Sequence, residues 1–267
     1  MATYQKRRAC VLVKAYPQPS KQYEETVCVA AVTEDSRLLR LYPIRFRHLD
    51  PSRRFERFDW LEIEMTKATE DPRPESFRVK EDTITILKRG REATPEERAK
   101  LWLPCVVPSL TSLHEAQRET HKSLGIVRPD PGSIRFKFQR IDKAVQEERE
   151  AIQDVYRAQQ SLLEDSLEKL PAPEYAFRYW FTSDGHEHSM QLHDWEVEAT
   201  YHAYKRRYGL PEKALEKMVE YYEQIAPARN LHLIMGNMHK RPYQFIVIGV
   251  LRTTADLGQV DAQGEMF

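Results

Sequence analysis

Cysteine is scarce and unpaired in this sequence. Cys10, Cys28 and Cys105 are the only three, an odd number without CxxC spacing, which signals neither a disulfide framework nor a Cys-based zinc site. The plain reading is buried, reduced thiols. Long apolar runs are also missing, since none approaches the roughly 18 residues that suggest a membrane span. The opening Met1-Ala-Thr-Tyr-Gln-Lys-Arg-Arg8 lacks the apolar stretch of a signal peptide. These absences lead to the expectation of a cytoplasmic protein with no membrane partner. There is no Walker A loop, G-x-G-x-x-G, G-x-S-x-G or H-E-x-x-H, which argues against P-loop hydrolysis and serine-hydrolase chemistry. Net charge is absent too: 41 Lys and Arg balance 41 Asp and Glu, so the whole surface is not a general polyanion binder. No internal repeat or low-complexity tract is found.

What is present is an ordinary globular composition, 267 residues with 41% hydrophobic and 31% charged side chains, enough for one large core or two small ones. The charge is unevenly spread. Residues 1–142 hold 27 Lys and Arg against 21 Asp and Glu, whereas residues 143–267 hold 14 against 20. A basic half joined to an acidic half points to a nucleic-acid face on the first.

Read in order, the first half gives short strands at Ala9 to Lys14, Thr26 to Val32, Arg37 to Arg47, Trp60 to Met65 and Thr83 to Leu87, separated by turn and proline signals. That spacing suggests a small antiparallel barrel or sandwich. Thr94-Pro95-Glu96-Glu97 is a helix start with an N-cap hydroxyl, proline at the first helical position and acids in the first turn. Ser112-Leu-His-Glu115 has capping-box spacing for a helix expected to end at Gly125. Ile134, Phe136 and Phe138 alternate with Arg135, Lys137 and Gln139 in a further strand. Lys143 to Leu170 reads as an acid-rich connecting helix packed on one side.

The C-terminal stretch reads as a unit. Ala176 to Thr182 is aromatic and β-forming, Ser183-Asp184-Gly185 is a turn, and His186 to Leu192 returns. Asp194 looks like an N-cap, Gly209 ends that helix and Pro211 opens the next, whose stripe is Leu215, Met218, Val219, Tyr222 and Ile225. Two strands, Leu231 to Met235 and Gln244 to Leu251, close it. The expected fold is α+β: an N-terminal β-rich, barrel-like basic domain (1–142), a helical connector (143–170), a C-terminal ββααββ antiparallel domain (171–253) and a flexible tail (254–267).

Three constellations could carry chemistry. The first is a basic, aromatic-laced surface of Arg40, Tyr42, Arg45, Arg47, Arg53 and Arg54, with Arg135 and Lys137 on another strand. Arginine forks suit phosphate and aromatic rings stack on bases. The plainer reading pairs these arginines with Glu56, Asp59, Glu62 and Glu64, their neighbours in sequence. The second is His186, His188 and Asp194: period-two spacing puts both imidazoles on one side of a strand, where a divalent metal would be the cofactor. The plainer reading is a hairpin with solvated histidines and a capping aspartate, with no cofactor. The third is the connection Gly236 to Pro242, where Asn237, Lys240 and Arg241 offer donors to an anion. A nuclease grouping of Asp59, Glu62, Glu64 and Lys67 misses the required spacing, because Glu64 rather than a lysine stands two residues after Glu62.

The pieces Val13-Lys-Ala-Tyr-Pro-Gln-Pro-Ser20, Tyr23-Glu-Glu-Thr-Val-Cys28, Arg40-Leu-Tyr-Pro-Ile-Arg-Phe-Arg47, Asp71-Pro-Arg-Pro-Glu-Ser76, His193-Asp-Trp-Glu196 and Gly236-Asn237 resemble a group of uncharacterised bacterial proteins that accompany mobile elements or phage-defence genes. The resemblance brings no established activity. Such relatives carry Cys and His before the Asp-Trp-Glu run, as a zinc knuckle would. Here Ser183, His186 and His188 stand there without cysteine. The leading expectation is a non-catalytic protein that binds nucleic acid, DNA or RNA, through the arginine-rich barrel face. The alternatives are a metal-dependent nuclease or phosphodiesterase using the His/Asp cluster, and an adaptor that binds another protein through the acidic connector.

Overall fold

A computed structural model describes residues 3–20, 23–160, 170, 172–225 and 230–253. The N-terminal strands are β1 (Gln5–Lys14), β2 (Gln18–Ser20), β3 (Glu24–Val32), β4 (Leu38–Ile44), β5 (Trp60–Lys67), β6 (Ser76–Val79) and β7 (Thr85–Lys88). Period-two patterning turns Leu61, Ile63 and Met65 of β5 inward and leaves Glu62 and Glu64 outside. β1, β3 and β4 form an antiparallel meander, β4 pairs in parallel with β6, β6 pairs with β5, and β5 returns to β1. The ring closes as a five-stranded barrel in the order β1-β3-β4-β6-β5. Ala9, Val11, Val29, Leu41, Ile63 and Phe55 are among the side chains that fill it.

The chain continues through α1 (Pro95–Trp102), β8 (Val106–Val107), α2 (Leu110–Thr120), β9 (Leu124–Val127), β10 (Arg135–Arg140), α3 (Lys143–Gln160), β11 (Tyr175–Ser183), β12 (His186–Gln191), α4 (Trp195–Tyr208), α5 (Pro211–Val219), β13 (Leu231–Met238) and β14 (Arg241–Arg252). The order β11-β12-α4-α5-β13-β14 is the expected ββααββ run, with a π-helical turn, Glu220–Ile225, extending α5. Its two hairpins belong to different sheets. β11 and β12 complete a three-stranded sheet begun by β10, and β13 and β14 join a four-stranded sheet with β9 and β8. A division at residue 142 therefore separates β9 from β13 and β10 from β11, because alternation marks a strand without naming its partner.

The four-stranded sheet covers one wall of the barrel. Cys10, Leu12, Ala30 and Val32 point outward from β1 and β3 and pack against Leu124, Ile126, Ile234 and Ile248. Those barrel strands are apolar on both faces for this reason. The contact is close enough that a Cβ on Gly249 would lie 2.7 Å from Val13 Cγ2.

Local signals place most helix ends. Thr94 and Glu97 form a capping box, Asp194 caps α4 by accepting from Glu196 N at 2.9 Å, and Gly209 ends it at φ 75°. α2 differs from expectation. Its cap is Ser109, boxed with Ser112, and it ends at left-handed His121, with φ 59°. Gly125 lies in β9, where a Cβ would approach Leu113 Cδ1 to 2.7 Å; helix-to-strand packing, not a helix end, requires glycine there. α3 also departs from its expected packing. The side chains that meet the barrel are polar: Arg149 donates from Nη2 to Pro17 O at 3.1 Å and lies 5.3 Å from the Tyr16 ring centroid. Val145, Ile152 and Val155 are exposed. The rest of the expected connector, apart from Leu170, and the expected tail at 254–267 lie outside the described residues, as does part of the loop before β13. Among the described residues no helix is long and apolar enough to cross a membrane.

Candidate nucleic-acid interface

The barrel arginines are largely held by the protein itself. Arg40 is only 6% exposed, because it lies on the wall that meets β9 and donates from Nη2 to Ser123 O at 3.1 Å. Arg47 makes a bidentate pair with Glu25, 2.7 and 3.0 Å, and Arg45 pairs with Glu81 at 3.2 Å. Arg54 donates to the carbonyls of Leu49 and Arg47. Tyr42 is exposed, its hydroxyl accepting from Thr26 at 3.4 Å. Arg53 lines a cleft of about 640 Å³ with Arg45, Arg78 and Tyr23, but Asp50, Glu81 and Asp82 line it as well. The expected arginine-rich face is thus a mixed-charge surface on which Arg45 and Arg47 are held by ion pairs and Arg40 and Arg54 by backbone carbonyls. Its partners are not the sequence neighbours: Asp59 takes Arg89, Glu62 takes Lys6 and Glu64 takes Lys80. With Lys67 donating to Arg73 O at 2.8 Å, the nuclease grouping is dispersed.

Arg135 and Lys137 have different surroundings. Antiparallel register sets Arg135 opposite Trp180 and Lys137 opposite Arg178, with Ser189 and Gln191 next across on β12. Alternation sends Phe136, Phe177, Tyr179 and Phe181 into the core and leaves Arg135, Lys137, Arg178 and Trp180 on the other face. Trp180 stands on the middle strand and is 49% exposed. Arg178 is steadied by Ser189 O at 3.0 Å, and Arg135 by Ile134 O at 2.7 Å and by a long ion pair to Glu223 at 3.9 Å, yet both remain exposed. Glu187, opposite Thr182, is the one carboxylate at the outward positions of these three strands. Directly opposed side chains on a sheet sit about 5 Å apart at Cβ, so the indole and three cations form one patch. Such a patch can stack a flat ring and donate to anionic oxygens on either side of it. Arg178 and Trp180 escaped the sequence reading. Their signal was a Trp and an Arg alternating with Phe177, Tyr179 and Phe181.

The metal grouping is corrected. His186 and His188 oppose Ser183 and Phe181, and His188 packs beside the Phe181 ring at 5.5 Å. Burial, with His186 nearby, lowers the His188 pKa. Asp194 is turned elsewhere, capping α4 at the barrel junction where residue 194 bridges to Ala15. Among the described residues no group of three or more His, Cys, Asp or Glu could hold a metal ion. The anion loop also divides. Asn237 is buried and donates from Nδ2 to Pro242 O at 2.7 Å, while Lys240 and Arg241 are exposed.

The His193-Asp-Trp-Glu196 run meets the barrel in an enclosed seam. Lys14 Nζ lies 4.2 Å from the Phe46 centroid and 5.7 Å from those of Phe55 and Trp195, donating to Phe55 O at 3.0 Å. Burial lowers the Lys14 pKa against the pull of Glu196 and other carboxylates. Burial and the Glu196 carboxylate raise that of Asp194 to about 7, against the opposing pull of Arg57 and Lys14. Arg57 bridges the seam to Glu196 at 2.8 Å.

Residues 5–104 match a domain of unknown function (DUF8758), and residues 107–265 match a second (DUF8757). The step between them falls after α1, where the chain enters β8. No curated protein matches the sequence. A solved structure described as "Molecular basis for abrogation of activation of pro-inflammatory cytokines" is similar at 8% identity with a TM-score of 0.32, over 72% of this chain and 80% of that one. A likeness of that size carries no argument.

Proposed function

We propose, for a chain that belongs to the family described as a domain of unknown function (DUF8757), that the open face of the β10–β11–β12 sheet binds single-stranded nucleic acid. The observation that supports this reading is Trp180, half exposed on the middle strand with Arg135 directly across and Arg178 and Lys137 beside it. A large indole left in water costs stability unless something covers it, and a base covers it while the flanking cations take the phosphates. Duplex is disfavoured because its bases are already stacked. The barrel arginines contribute little, since their forks are engaged within the protein.

Fluorescence anisotropy with labelled single-stranded DNA, single-stranded RNA and duplex, in EDTA and at increasing salt, tests it. Both single strands are expected to bind above the duplex. Contacts to about three phosphates give a log–log salt slope near −2 for a single strand. Trp180→Ala is expected to cost about 1–3 kcal/mol of binding, and Arg53→Ala nothing measurable. Failure of the unaltered protein to bind either strand, or full binding by both Trp180→Ala and Arg178→Ala, would overturn the assignment.

A further inference from the structure

The open face of the β10–β11–β12 sheet has a polarity that its cations alone do not explain. Ladder register lays its outward residues in rows: Arg135, Trp180 and Ser189 in one, Lys137, Arg178 and Gln191 in the next. On the far side of the first row, away from Lys137, Thr182 faces Glu187. Glu187 and Lys137 therefore stand at opposite corners of the face, with the Trp180 indole between them. Diagonal neighbours on paired strands are about 7–8 Å apart, within reach of a long side chain, so the Glu187 carboxylate can meet the rim of a ring stacked on the indole. That carboxylate is uncommitted. Glu187 is exposed, and among the described residues no ion pair or side-chain hydrogen bond holds it. Asp130, at the same end of the sheet, is engaged by the β11–β12 turn, accepting from the Asp184 and Gly185 amides at 3.3 and 3.0 Å. On a face that only gathered phosphates, a free carboxylate would repel the ligand.

We propose that Glu187 selects guanine at the Trp180 stacking position. This rests on the single-strand reading above and names the base that reading leaves open. Guanine alone among the common bases carries two adjacent donors, N1–H and the N2 amino group, on its Watson–Crick edge. A carboxylate only accepts, and its two oxygens take both donors as a fork. Adenine and cytosine set a ring acceptor beside their amino group, and uracil and thymine flank a lone N–H with two carbonyls, so each turns a lone pair toward the carboxylate. In a purine the Watson–Crick edge lies opposite the sugar. A guanine over the indole with that edge at Glu187 therefore directs its sugar and phosphate toward Lys137 and Arg178. The corner-to-corner order of carboxylate, ring and cations matches the order of donor edge, base and phosphate in a guanine nucleotide.

Competition anisotropy with the full chain tests this, using oligothymidylate and oligouridylate of about eight nucleotides. The central residue of each is left unchanged or replaced by guanine, adenine, cytosine or hypoxanthine, and the two sugars distinguish DNA from RNA as the source of the strand. Hypoxanthine keeps the purine ring and N1–H but lacks the amino donor. The guanine strands are expected to bind about tenfold more tightly than the adenine and cytosine strands, within the range for a bidentate base contact, and hypoxanthine to lose most of that gain. Glu187→Gln keeps the side chain's size and removes one acceptor. It is expected to bring guanine and adenine strands within about twofold of each other and to leave strands without guanine bound at least as well as before. Equal binding of guanine and adenine strands by the unaltered protein overturns the proposal, and so does a guanine preference that Glu187→Gln keeps intact. In either event loss of binding in Trp180→Ala still upholds the stacking face. If the unaltered protein binds none of the strands, both readings fall together.

Discussion

The barrel and the three-stranded sheet each carry arginines beside aromatic rings, and the fold uses them in opposite ways. In the barrel, Arg40, Arg45 and Arg47 reach Ser123, Glu81 and Glu25, and the wall that bears Arg40 is closed over by the four-stranded sheet. On β10 and β11, Arg135, Lys137 and Arg178 surround an indole in solvent, with one carboxylate, Glu187 of neighbouring β12, at the outward positions and a single long ion pair, Arg135 to Glu223 at 3.9 Å. The number of arginines therefore says little about anion binding. Where each side chain's nearest carboxylate lies decides it.

The largest way to break this comparison is at the enclosed pair. Arg47 and Glu25 have side chains only 18% and 10% exposed, and truncating one partner leaves a partly buried charge alone. Arg47→Ala is expected to lower unfolding free energy by about 3 kcal/mol, toward the lower end for broken buried pairs, while leaving oligonucleotide affinity unchanged. Arg178→Ala should do the reverse, with stability within about 0.5 kcal/mol and affinity reduced. Urea titrations and anisotropy on the two variants check both halves. If Arg47→Ala weakens binding without loss of stability, the barrel is the interface after all.

The seam between the regions gives the next effect, through pH. Asp194 has a pKa raised to about 7 by burial first and by Glu196 second, with Arg57 and Lys14 pulling the other way. A carboxyl whose folded pKa is raised binds its proton more tightly in the folded state. Its contribution is full below the unfolded value near 4 and is lost as pH rises through about 7. Glu198, also buried and raised to about 7, acts in the same direction. Stability should therefore fall by a few kcal/mol between pH 5 and pH 7.5. Asp194→Asn, which keeps a capping oxygen, should flatten that slope. Chemical denaturation across the pH range reads it, and an unchanged slope would remove Asp194 as its source.

What could be read beforehand follows the reach of each interaction. Thr94-Pro95, Asp184-Gly185, Asp194 and Gly209 work through neighbours a few residues away, and each sits at the turn or helix end its chemistry implies. The barrel was legible from the spacing of its short strands, but the pairing that closes it was not, because the parallel β4–β6 contact joins Arg40 to Ser76. Arg45 and Glu81 are likewise far apart in sequence, so the nearer Glu56 and Glu62 were misleading partners. Alternation in β11 was sufficient to put Trp180 outward. That β10 supplies Arg135 beside it depends on a register set by packing.

The smallest effect sharpens the comparison most, because it counts contacts. Lys137 faces Arg178 across β10 and β11 and is exposed, so its ammonium can neutralise one phosphate without anchoring anything in the fold. Lys137→Ala should leave thermal stability unchanged and cost less than about 1 kcal/mol of binding at physiological salt. It should also make the log–log salt slope shallower by about 0.7, the release expected for one phosphate contact on a single strand. Lys88→Ala on the barrel, where Lys88 is exposed at the end of β7, should leave the slope as it is. A slope altered by Lys88→Ala and not by Lys137→Ala would move the phosphate track from the sheet to the barrel.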